Sequence, residues 1–261
     1  MITAPLSITR VGRHCRAVER TSPQTGQAVL VARNGSGIYS ALKPGLRAFT
    51  MAIHFKPRDR YRLALFAIYL VWWLVMAIAP WYREDWLLEN VLVFVMVPFV
   101  VLVHRRLSDT AVSALFVFLV LHVIGAHYTY AQVPYDAWSE TLFGRSISSL
   151  LGFERNHFDR LVHFLYGLLI TPTAIELIDS RVTQRGAWRY LVPFTFMASH
   201  AAFYEVAEWL AATWFGGDLG VAYLGTQGDV WDAQKDSALA IVGALIAVVW
   251  LRIGDDSSAR H

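Results

Sequence analysis

Asp159 and His163 stand four residues apart, Glu205 and Glu208 three apart, and Asp229, Asp232 and Asp236 step by three and then four. On a helix each spacing brings its set onto one face. An imidazole offered with several carboxylates is a donor set for a divalent cation such as Zn²⁺, Mn²⁺ or Mg²⁺. The same groups suit general acid–base chemistry, because crowded carboxylates cannot all carry full charge. The candidate catalytic residues are therefore Asp159, His163, Glu205, Glu208, Asp232 and Asp236, with His163, Glu208 and Asp236 as the ligands if a cation is held. Arg155, Arg160 and His127 are the candidates for contacting an anionic substrate, although the two arginines serve equally well as structural partners of the acids.

Other polar residues have plainer readings. Asp229 is expected to cap a helix in water. Glu176, close to Asp179 and Arg181, reads as a solvated or paired end group. Glu89 fits either the acidic cluster or the interface. His122 and His127 are five apart and diverge around a helix, so one at most points at the site, and depth favours His127. The glycine-rich stretch 216–228 lacks the phosphate-loop pattern and reads as a turn.

The elements that must position these residues are membrane helices. Of 261 residues 56% are hydrophobic and 16% charged, against about a quarter charged in a soluble domain. A span needs roughly 20 apolar residues, and six stretches approach this: 63–81, 87–103, 110–130, 158–177, 190–212 and 232–251. They are continuously apolar, whereas barrel strands alternate. Trp and Tyr gather near their ends, as interfacial aromatics do. The expected fold is an all-α, six-helix membrane bundle.

Eighteen of the 23 Lys and Arg lie on one side of these spans, eleven of them before the first. The positive-inside rule puts that side, and both termini, in the cytoplasm. The ionisable residues of the last three spans then fall in the outer half of the bilayer or at its outer surface. Charge inside a span costs about 2.5–3.5 kcal/mol at the centre, so function is the default explanation. A net charge of +3, carried by particular segments, gives no sign of a nucleic-acid partner. No internal repeat of the kind found in many transporters is apparent.

Residues 1–56 mix Ser, Thr, Gly, Pro and Arg with one acid, Glu19, and show no sustained period. They are expected to be poorly ordered. They lack a signal-peptide core; a transit-type segment and a translation start near Met51 remain alternative readings. Residues 57–252 form the membrane domain and 253–261 a polar tail. Cys15 is the single cysteine, so there is no internal disulfide.

Four strings carry a resemblance: His127-Tyr128-Thr129-Tyr130, residues 155–164 (RNHFDRLVHF), Tyr204-Glu205-Val206-Ala207-Glu208-Trp209 and residues 225–236 (GTQGDVWDAQKD). With these the chain resembles the YjdF-like family of bacterial inner-membrane proteins over roughly residues 60–252. The family has no assigned activity, so the resemblance implies membrane class and an inner-membrane location. A fainter similarity is to the VanZ-like family, linked to glycopeptide-antibiotic resistance. Asp159, His163, Glu208, Asp236 and Gly243 can be laid on its pattern, while its Arg-Ser string is absent here. That similarity implies an envelope-facing role. The expected function is a multi-pass membrane protein with an outward-facing His/carboxylate pocket. Three readings of it stand: a metal-assisted enzyme acting on a lipid or envelope precursor, a proton-coupled carrier, and a scaffold whose acids fix packing.

Overall fold

The computed structural model describes residues 57–258, with side chains through 255, and the backbone of three strands within 16–42. The chain divides into two units, Met1–His54 and Phe55–His261. In the first, β1 (Arg16–Thr21), β2 (Ala28–Asn34) and β3 (Gly37–Leu42) form an antiparallel sheet in that order. Arg16 lies opposite Arg33, and Val29 opposite Leu42. This departs from the expected lack of order. A run such as Ala28-Val29-Leu30-Val31-Ala32 is too short to show a period, yet it suits extended backbone. Cys15 and Met51 lie outside the described residues.

The second unit is helical throughout its described residues. Six long helices match the six apolar stretches: α1 (Pro57–Met76), α2 (Arg83–Val103), α3 (Asp109–Tyr128), α6 (Phe158–Asp179), α7 (Trp188–Phe215) and α9 (Asp232–Ser258). Three short ones, α4 (Tyr135–Phe143), α5 (Ile147–Leu151) and α8 (Gly217–Leu224), occupy stretches expected to be loops. The C-terminal residues 253–258, expected as a tail, continue α9. Among the described residues four helices are long and apolar enough to cross a membrane: α2 with the turn after it, α3, α6 and α9. In α1, Arg58, Asp59, Arg60 and Arg62 crowd the first two turns, and α7 is diluted by Glu205, Glu208, His200 and several tyrosines and tryptophans.

Packing is closest between α6 and α9. A Cβ added to Gly167 would lie 1.9 Å from the Ala240 carbonyl oxygen, and one on Gly243 2.1 Å from that of Phe164. Ala240, Ala244 and Ala247 complete a small-residue stripe, all at most 2% exposed. Small residues let membrane helices meet backbone to backbone. The two helices therefore run parallel and in register, Gly167 beside Ala240, with His163 and Asp236 each one turn further toward their starts. At the opposite end Arg62 pins the α2–α3 turn, donating to Asp109 Oδ1 at 2.8 Å and to the carbonyls of His104 and Leu107. Glu176 accepts from Ser108 N and Oγ at 2.7 and 2.6 Å, so it is a paired end group, as expected.

Candidate functional site

The in-register helix pair places Asp159 and Asp236 beside one imidazole, and α7 adds Glu205 and Glu208. His163 Nε2 lies 3.4 Å from Asp159 Oδ1 on its own helix and 3.5 Å from Glu205 Oε1 on α7. Two triads share His163, one with Asp159 and Asp236, the other with Glu205 and Glu208. In each, three donor atoms lie within 4.8 Å of one another. His163 is 8% and Asp236 2% exposed. Glu205 Oε1 and Asp236 Oδ1 are buried with no hydrogen-bond partner. Separations of 3.4–3.5 Å are long for a hydrogen bond. They match the spacing of ligands sharing one cation, which bonds of about 2.0–2.1 Å set at roughly 3.3 Å in a tetrahedron.

Beside the triads is a cavity of about 50 Å³, lined by Glu89, His122, Tyr130, Asp159, His163, Tyr166, His200, Tyr204, Glu208 and Tyr223 among others. Glu89, left open by the sequence, belongs here. So does His122, not the favoured His127, which turns away to the α1–α2 connection with Nδ1 2.8 Å from the Met76 carbonyl. The inward face of α3 runs through Leu115, Phe118, His122 and Gly125, and His127 is off it. His122 Nε2 donates to the Glu89 carbonyl at 3.0 Å, leaving Nδ1 to accept from the Tyr130 hydroxyl. Thr129 makes that contact possible. Its φ of 61° folds Tyr130 back against Gly125, where a Cβ would sit 2.5 Å from the ring. A β-branched residue at positive φ is strained, and here the Thr129 hydroxyl is held by Asp85 Oδ2 at 2.8 Å. Tyr204 and Tyr223 were not singled out from the sequence. Tyr204 had a signal, because His200, Tyr204 and Glu208 step by four along one face of α7.

Arg155 and Arg160 face acids already in place. Arg155 donates to Asp232 Oδ1 at 2.6 Å and to the Thr226 carbonyl at 2.9 Å, and Arg160 to Asp229 Oδ2 at 2.5 Å and Asp232 Oδ1 at 3.2 Å. Asn156 and Gln227 exchange two further hydrogen bonds, at 2.9 and 3.0 Å. The segment 225–232 is thus a strap tied over the start of α6. Asp229 does not simply cap α9. The Lys235 ammonium, the Trp231 amide and the Arg160 guanidinium together hold its carboxyl well below the usual range. Burial, then the charges of Arg160 and Arg155, push His157 below its ordinary value. Asp232 sits in this ion-pair network, beside the triads and outside both.

A family model described as "Predicted membrane protein (DUF2238)" matches residues 61–256. The chain is also 34% identical over 174 residues to the "Inner membrane protein YjdF" of Escherichia coli (strain K12), covering 65% of this chain and 78% of that one. No solved structure matches. Motifs 155–164 and 225–236, which carried the resemblance, are the two halves of the strap and its anchor. The chain belongs to the DUF2238, YjdF-like family of predicted membrane proteins.

Proposed function

We propose that this is a six-span inner-membrane protein, both termini cytoplasmic, whose outer half holds a divalent cation as the centre of a metal-assisted enzyme acting on a lipid or envelope precursor. The observation that carries this is the mismatch of charge around His163. Asp159, Glu205, Glu208 and Asp236 converge on a single imidazole, while the arginines nearby are hydrogen-bonded to Asp232 and Asp229 and Arg160 reaches Asp236 only at 4.0 Å. A carboxylate taken out of water without a partner costs several kcal/mol. A divalent cation in either triad would satisfy the acid left unpartnered there, Asp236 in one and Glu205 in the other. His163 and the acids of one triad would be its ligands, and an acid of the other would be left to take a proton from a bound water. Hard oxygen donors with one imidazole suit Mn²⁺, Mg²⁺ or Zn²⁺.

The carrier reading is weakened by what lies on the cytoplasmic side of the cavity. Leu115, Leu119, Val93 and Ile170 pack there as buried core, and Glu176 is occupied by Ser108. Elemental analysis of the purified protein is expected to find about one divalent metal per chain. His163→Ala and Asp236→Asn are expected to lose it while still inserting, and Asp218→Asn on α8 to retain it. Metal-free protein that binds no added Mn²⁺ or Zn²⁺ would leave the scaffold as the better account.

A further inference from the structure

We infer that the site is fed sideways from the bilayer, by an amphiphile whose phosphate headgroup reaches the cation between α7 and α9. This rests on the cation reading above and adds the route and the substrate class. Over the start of α6 the strap's Arg155–Asp232 and Arg160–Asp229 contacts are buried, with side chains 4–16% exposed, and its residues Thr226, Gly228 and Val230 form the outer rim of a hollow beside them. The lateral approach is open. That hollow, of about 760 Å³, runs between Ala202, Val206 and Trp209 on α7 and Ala233, Ser237 and Ala238 on α9, and it reaches Asp159, Glu205, Glu208 and Asp236. It shares Asp159, Glu208 and Leu224 with the inner cavity, so the two adjoin at those side chains.

The chemistry of the walls names the ligand. Val206 and Trp209 at the lip on α7 are 50% and 58% exposed and apolar, whereas the floor is acidic. An entrance with apolar lips and a polar floor fits a molecule with a chain and a headgroup. Carboxylates repel an anionic headgroup unless a cation stands between them. Phosphate oxygens are hard donors that complete the coordination of such a cation. Arg155 and Arg160, bound to Asp232 and Asp229, are not the phosphate holders.

The test uses the full chain loaded with Mn²⁺ in dodecyl-maltoside micelles, which contain no phosphorus, and reads the hyperfine coupling of ³¹P to the bound ion. Dodecyl phosphate is expected to give coupling at about tenfold lower concentration than inorganic phosphate. Ala238→Trp, and independently Ala202→Trp on the facing wall, are expected to bind Mn²⁺ and lose the ³¹P coupling. Leu245→Trp, on the exposed face of α9 nearer its end, is expected to keep both. Equal coupling from inorganic phosphate, or coupling that survives both tryptophans, would overturn lateral entry and leave the cation site standing. Failure of the unmodified chain to bind Mn²⁺ would overturn the cation reading, and this inference with it.

Discussion

His157 and Asp229 give the strap a pH signature. His157 is pushed below the ordinary 6.5 by burial, so the unfolded chain takes up a proton there before the folded one does. Its contribution is therefore full above about pH 6.5 and is lost as the pH falls through the folded value. Asp229 is depressed too, so its contribution is lost only on acidification below the ordinary 3.8. Melting temperature is expected to fall between pH 7 and 5, with His157→Asn flattening that limb and Asp229→Asn leaving its slope intact. An unchanged slope in His157→Asn would locate the titrating group elsewhere. Arg155→Gln leaves Asp232, which is 4% exposed, with only the 3.2 Å contact from Arg160, and losing one member of a buried pair costs up to about 3–5 kcal/mol. A cysteine at Ala233, behind the strap, should become reactive to a hydrophilic thiol reagent in that variant. Helical spacing grouped His163, Glu208 and Asp236 in the sequence as one ligand set, whereas in the structure Asp236 groups with Asp159 and Glu208 with Glu205, each around His163. His122 was not legible, because α3 is apolar all round and no stripe contrasts with another. The occupation of Arg155 and Arg160 depends on the strap's path, which no local spacing encodes.

Among elements, the α6–α9 contact sets the height at which ligands meet. Gly167→Leu would drive a side chain into the Ala240 carbonyl, and overpacking typically costs about 1–3 kcal/mol or more when backbone must move. A lower melting temperature and loss of bound metal are expected together, although Gly167 is no ligand. Retained metal with a lowered melting temperature would show that α9 can shift without disturbing His163 and Asp236. The six long helices were legible from apolar length alone. Helix α8 was hidden by its glycines, which in sequence signal a turn. In the structure Gly220 is needed because a Cβ there would lie 2.6 Å from the Ala212 carbonyl oxygen. Helices α4 and α5 are nine and five residues long, below the length at which periodicity speaks.

At the scale of the whole molecule, orientation is the first thing to measure. Cysteines at Gly144 and Asp218 should react with an impermeant thiol reagent on intact cells, and cysteines at Arg105 and Arg185 only after lysis. The reverse pattern would invert the bundle and turn the acidic site toward the cytoplasm. The parallel pairing of α6 with α9 also bears on how the protein is made. The ribosome delivers α6 with Asp159 and His163, then α7 with Glu205 and Glu208, while the surface that Gly167 offers to Ala240 stays bare until α9 emerges. Helix α9 is therefore the wedge that fills this groove, bringing Asp236 and the strap's anchor Asp232 together. A chain without α9 would leave Gly167 bare and His163 with no acid from beyond α6 and α7, so the triad of Asp159, His163 and Asp236 depends on a helix pairing formed across all of α7 and α8.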